Sequence, residues 1–160
     1  LYFYAPTYVD REAEAVAAFA RLSSSAAPAN AEEAAARADR LNKSKRYGDA
    51  VNAYADAFAR FPETRTPQSL LRRGVAAFNA RRAPETVESL SAVSPSAGET
   101  RAEALSYLTQ HHARAKQWPQ ARATAEEMRR AGAYLTAGIV EQLRIGGAAA
   151  AYRLARLAHP

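Results

Sequence analysis

Catalysis by side chains needs nucleophiles, acids, bases or metal ligands gathered at set spacings, and this 160-residue chain offers few candidates. His111 and His112 are adjacent imidazoles. Consecutive positions on a helix point about 100° apart, so the two do not converge on one metal as an i, i+4 pair would. His112 is expected in a packing slot and His111 towards solvent, with His159 far away at the other end. The carboxylate pairs Glu32–Glu33 and Glu126–Glu127 lie near arginines at helical spacing. They read as surface ion-pair partners and not as a tuned acid/base couple. The absence of cysteine removes thiolate nucleophiles, disulfides and thiolate metal sites, and leaves the redox compartment open. No Gly-x-Ser-x-Gly and no Ser, His and Asp grouping can be read, and Gly146–Gly147 lacks the lysine and the spacing of a phosphate cradle. No catalytic residue, metal site or cofactor is expected.

Charge narrows the partners. The formal net charge of +6 would suit nucleic acid if the cations were clustered. They are spread instead, as Arg37, Arg40, Arg60, Arg72, Arg73, Arg81, Arg82, Arg114, Arg122, Arg129 and Arg130, interleaved with Glu and Asp. That is the pattern of solvated helix faces, and no nucleic-acid partner is expected. No run of about 18 apolar residues is available to span a membrane. The chain begins at Leu1 without a basic-then-apolar leader, so any signal peptide is expected to have been removed or to lie upstream.

The elements that must position any binding surface are helical. Alanine dominates, glycine numbers only 7, and alanine has the best helix propensity because it loses no side-chain entropy. The stretch "KRYGDAVNAYADAFARFP" puts Tyr47, Ala50, Tyr54 and Ala57 on one helical face and ends at Pro62. The same four slots return as Ala83, Thr86, Leu90 and Val93, then as Trp118, Ala121, Ala125 and Met128, at a pitch of 36 and then 35 residues. Each copy follows another amphipathic helix, marked by Ala34, Ala38 and Leu41, by Leu70, Gly74 and Ala77, and by Leu105, Leu108, Thr109 and His112. Small residues let two helices of a unit approach closely; Gly74 inside a helix costs about 1 kcal/mol against alanine, and close packing is the expected compensation. Pro62, Pro67 and the Ser94–Gly98 turn separate units, whereas Pro84 and Pro119 sit just inside second helices, where a missing N–H is tolerated.

These slots resemble the tetratricopeptide repeat, a helix–turn–helix unit of about 34 residues. The first repeat matches best, through Ala38, Leu41, Tyr47, Ala50, Tyr54, Ala57 and Pro62; the second departs at Ala83 and Thr86, and the third at Thr109 and Ala125. The fold so implied is all-α, an α-solenoid of antiparallel helix hairpins forming a superhelix. One domain is expected over 1–160: an N-terminal helix and linker over 1–28, repeats over 31–62, 67–98 and 102–133, and a C-terminal helix pair over 134–160. The apolar run 148–158 is expected to await neighbours or to self-associate.

The resemblance further implies a concave face lined by the first helix of each unit. Carried over position by position, it yields Asp39, Asn42 and Lys43 from the first repeat. The second gives Leu71, Val75, Phe78 and Asn79, and the third gives Ser106, Gln110 and Arg114. Some repeats of this family clamp a peptide's terminal carboxylate with Lys and Asn, but here those slots hold Ala35 and Asp39. The groove is therefore mixed, an apolar patch flanked by amides and cations. It suits an extended peptide of a partner protein and an amide-bearing glycan equally well; the first would be held by a non-catalytic scaffold, with no membrane span.

A narrower resemblance gives the alternative. "RADRLNKSKRYGDAVNAYADAFARFPE", "LRRGVAAFNARR" and "RAEALSYL" look like the superhelical region of bacterial soluble lytic murein transglycosylases. That would imply a periplasmic or cell-envelope location, peptidoglycan as partner, and a catalytic domain outside this chain; a scaffold of the first kind is equally at home in the cytoplasm. Glu88–Ser89 reproduces that family's Glu-Ser dipeptide without the surrounding glycines and aromatics, and is expected to be a solvated pair.

Overall fold

In a computed structural model, residues 27–131 are described. The helix expected over 9–22 and the pair expected over 134–159, with its apolar run, lie outside the described residues. Within them are six α-helices and no strand: α1 (Ala31–Lys43), α2 (Tyr47–Arg60), α3 (Pro67–Asn79), α4 (Ala83–Ser91), α5 (Glu99–Arg114) and α6 (Trp118–Arg130). This part of the chain is all-α. No helix among the described residues is long and apolar enough to cross a membrane.

Local chemistry accounts for the ends. Asn30 caps α1, its side chain accepting from the Glu33 N–H at 2.9 Å while Glu33 accepts from the Ala29 N–H at 2.8 Å. Thr66 and Ser69 form a reciprocal capping box at the start of α3, with Pro67 in its first turn. Between α1 and α2, α3 and α4, and α5 and α6 the same turn recurs. Lys45, Arg81 and Lys116 take left-handed backbone with φ of 60°, 57° and 58°. The next residues, Arg46, Arg82 and Gln117, donate their N–H to the carbonyls of Leu41, Ala77 and His112 at 3.0, 2.9 and 2.8 Å. This is the six-to-one closure that ends many helices, usually built on glycine. Here a long cation occupies the slot each time, close to the negative end of the preceding helix dipole.

The helix α5 starts at Glu99, three residues before the expected repeat boundary at 102. A short 3-10 turn over Pro95–Ala97 delivers the chain to Gly98, whose φ of 60° and ψ of −122° suit only glycine, and the helix begins immediately after it. The first turn, Glu99, Thr100 and Arg101, carries no apolar residue to announce it.

Packing follows the turns. α1 lies against α2, α3 against α4 and α5 against α6, while α2–α3, α4–α5 and α3–α5 contacts join successive pairs. One core cluster gathers Val51 and Tyr54 with Ala76 and Ala77 of α3; a second gathers Leu90, Val93, Leu105, Leu108 and Met128, and Phe58 packs against both. Burying a residue such as Leu90 or Leu105 contributes about 1.5–3 kcal/mol. At Gly74 the helices meet with no room for a side chain: an added Cβ would stand 2.5 Å from Leu90 Cγ.

The arginines are not uniformly solvated. Arg73 is buried between pairs, its Nη1 donating to Ser89 Oγ at 2.7 Å and its Nε to the Val51 carbonyl at 3.4 Å. Glu88 stands 3.6 Å from the same guanidinium. The Glu88–Ser89 dipeptide is therefore not a solvated pair, because Ser89 is buried and both residues serve Arg73. Arg82 likewise donates to the Gly48 carbonyl, to Asn52 Oδ1 and to Glu85 Oε1, tying the second pair to the first. Arg101 reaches the Val93 carbonyl at 2.9 Å and Glu127 at 2.8 Å. Apart from Glu85, three residues from Arg82, these partners stand eight or more residues away in sequence, so composition alone could not single these arginines out.

Candidate functional site

The residues assigned to a binding face come from α1, α3 and α5, and the structure treats them differently along that row. Asp39 on α1 is occupied by its own protein: the Tyr54 hydroxyl donates to its Oδ1, and Arg72 Nη1 approaches Oδ2 at 3.1 Å. Tyr54 is buried, and burial first, then the Asp39 hydrogen bond and charge, push its ionisation well above the ordinary tyrosine range. Asp39 thus links α1, α2 and α3. Asp39→Ala is expected to cost about 1–2 kcal/mol by stranding the Tyr54 hydroxyl, measured as a lower urea midpoint at unchanged slope. Asn42 is half-buried and Lys43 exposed at the end of α1.

On α3, Leu71 is half-buried and packs against the core cluster of the second and third pairs, and Val75 is half-buried beside it. Phe78 differs from both. It belongs to neither core cluster, and its half-buried ring meets Tyr107 of α5 edge-on at 5.4 Å between centroids. The Arg114 guanidinium lies over the same ring at 4.6 Å. Cation–π stacking holds a guanidinium by its face and leaves its in-plane N–H groups directed outward. Asn79 is exposed at the end of α3. On α5, Gln110 Nε2 donates back to the Ser106 carbonyl at 3.3 Å, so these two amide and hydroxyl groups are partly satisfied within the helix.

Phe78, Asn79 and Arg114 line a cleft of about 410 Å³ where α3 and α5 end above the start of α4. Arg81, Thr86 and His111 complete its polar lining, and no carboxylate lies among the lining residues. Thr86 is buried and donates its hydroxyl to the Arg82 carbonyl at 2.8 Å. Leu71, Val75, Ser106 and Gln110 stand outside this cleft, as do Asp39, Asn42 and Lys43.

His111 is not turned simply to solvent, as the sequence pattern suggested. It is half-buried, lines the cleft, and meets His112 edge-on at 5.4 Å, while His112 Nδ1 pairs with Gln117 Oε1 at 2.8 Å. Burial first, then the charges of His112 and Arg114, hold the His111 pKa below its ordinary 6.5. The unfolded chain therefore binds more protons than the folded one. Stability carried by neutral His111 is full above about pH 6.5 and is lost as pH falls towards the depressed folded value. His111→Gln is expected to flatten the dependence of the thermal midpoint on pH between about 7 and about 5.

Sequence reasoning did not assign Tyr107, Arg81 or His111 to a binding face. Arg81 had a visible signal, since Lys45, Arg81 and Lys116 recur at the repeat pitch inside turns. Tyr107 and His111 had none, because their meeting with α3 depends on how two helices 20 or more residues apart are stacked. No family model matches this chain, and no curated protein matches it.

Proposed function

We propose that these helices form three stacked tetratricopeptide-like hairpins, an α-solenoid, serving as a non-catalytic scaffold that holds an extended segment of a partner protein along α1, α3 and α5. Recurrence of the same left-handed turn at Lys45, Arg81 and Lys116 supports repeated hairpins. The observation that carries the binding role is Phe78, an aromatic ring left out of both core clusters and presented with Tyr107 and Arg114 beside an open cleft. Rings of this kind, half-desolvated and flanked by a stacked arginine, are the anchors that dominate binding energy at protein interfaces. Phe78→Ala is expected to lower affinity for a bound peptide about tenfold or more while shifting the thermal midpoint little. Peptide-array screening followed by fluorescence anisotropy gives the first measurement and thermal unfolding the second. An unchanged affinity would remove Phe78 as the anchor.

The second reading is a wall-facing helical segment of a peptidoglycan-cleaving enzyme in the periplasm or cell envelope, with the catalytic domain outside these residues. The exposed amide of Asn79, which lines the cleft with Arg81 and Arg114, favours it, because an amide-bearing glycan offers matching donors and acceptors. Retention of the chain on purified sacculi, abolished by soluble glycan fragments and not by peptides, is the result expected from that reading.

A further inference from the structure

We propose that the cleft between the ends of α3 and α5 is a carboxylate subsite for an acidic peptide. A glutamate or aspartate side chain lies against Arg81 and Arg114, and the adjoining apolar side chain rests on the Phe78–Tyr107 shelf. This deepens the scaffold reading above and rests on it.

Four observations converge. First, the lining holds Arg81, Arg114 and His111 and no acid, whereas the larger hollow over α1 and α2, about 490 Å³, sets Arg37, Arg40, Arg46 and Arg60 among Asp49 and Asp56, so its cations already have carboxylates beside them. Second, neither Arg81 nor Arg114 makes an ion pair among the described residues, although Arg46, Arg72, Arg82 and Arg101 all do. Third, the Arg114 guanidinium carbon lies 4.6 Å from the Phe78 ring centroid, a cation–π contact that holds the charge at the cleft, where its N–H groups can meet a planar carboxylate. Fourth, Arg81 occupies a left-handed turn position that glycine would fill with less strain, and its exposed side chain reaches the same cleft. Lys45 and Lys116, in the equivalent turns, are exposed and add positive charge that would help to steer an acidic segment.

His111 supplies a signature. Its neighbours in charge are His112 and Arg114 on α5 and Arg81 from the α3–α4 turn. Burial first, then the charges of His112 and Arg114, hold its pKa below the ordinary 6.5 in the free protein, and a carboxylate seated beside it would favour its protonation. Binding should then take up a proton, and affinity should rise as pH is lowered from about 7.5 to about 6, where the glutamate itself remains ionised.

The test uses the full chain and end-blocked, fluorescein-labelled peptides in which leucine alternates with glutamate, glutamine or lysine, followed by anisotropy. The glutamate peptide should bind about tenfold or more tightly than the glutamine peptide, and the lysine peptide not at all. Arg81→Gln should remove about tenfold from the glutamate peptide and leave the glutamine peptide unchanged, and His111→Gln should abolish the strengthening at lower pH. Equal binding of glutamate and glutamine peptides, both weakened by Phe78→Ala, would overturn the carboxylate subsite and leave the peptide-binding face standing. No binding of any of the peptides would overturn both. Binding of soluble muropeptides that depends on Arg81, without binding of the glutamate peptide, would overturn a peptide occupant. Heparin binding as tight as that of the glutamate peptide and indifferent to Phe78→Ala would reduce the edge to a diffuse polyanion surface and overturn the subsite.

Discussion

Replacing Arg73 by alanine is expected to lower the unfolding free energy by about 3 kcal/mol, the largest effect of any polar substitution in this protein. The side chain is 10% exposed. Its partners divide into one that matters little and two that matter more. Glu88 is 70% exposed at its side chain, so that ion pair is screened and contributes little. Ser89 Oγ and the Val51 carbonyl are hidden with the guanidinium, and removing it strands the serine hydroxyl and deletes the aliphatic stem that fills the space between α2, α3 and α4. Arg73→Met keeps most of the volume and should lose about 1–2 kcal/mol; combining it with Ser89→Ala removes the stranded hydroxyl and should recover part of that loss. Urea unfolding of the four proteins decides the matter. A loss under about 0.5 kcal/mol for Arg73→Ala would mean that the guanidinium does not clip the first helix pair to the second.

Gly74→Ala is expected to cost about 2 kcal/mol, although in an exposed helix the same change would gain about 1 kcal/mol from propensity. The reversal comes from Leu90. The new Cβ would stand 2.5 Å from Leu90 Cγ and 3.4 Å from the Leu90 nitrogen, and Leu90 is fully buried with nowhere to move. α3 and α4 must then separate, losing contacts along both helices. A double-mutant cycle isolates the cause. Leu90→Ala alone should cost about 2–5 kcal/mol, and adding Gly74→Ala in that background should restore about 1 kcal/mol, because the obstructing side chain is gone. Equal costs of Gly74→Ala in both backgrounds would exclude Leu90 as the source.

The two substitutions lie next to each other in sequence, yet only one was foreseeable. Glycine inside a strong apolar helix pattern announces close packing, since nothing else offsets its helix penalty. Arg73 sits in "LLRRG" beside Arg72, and both look like surface cations. Arg72 faces outward to Asp39 and Arg73 inward to Ser89, a difference of about 100° around the helix axis whose consequence depends on what stands opposite. Asp39 presents the same difficulty. Its place in the repeat pattern put it on a binding face, while its partners lie 15 and 33 residues away.

What the sequence by itself determined is local. Helical composition, the apolar slots three and four residues apart, the prolines at helix starts and the recurring turns act within a few residues, so α2, α4 and α6 begin at Tyr47, Ala83 and Trp118, where the repeat alignment places them. The start of α5 escaped because its first turn is polar and its position is set by the backbone of Gly98. Only the tertiary structure decided which arginines are buried clips and which face a cleft, that His111 borders that cleft, and that Phe78, Tyr107 and Arg114 meet. Those outcomes depend on the rotation and spacing of whole helices against one another. Packing fixes both through contacts between residues far apart in the chain, which no short window of sequence contains.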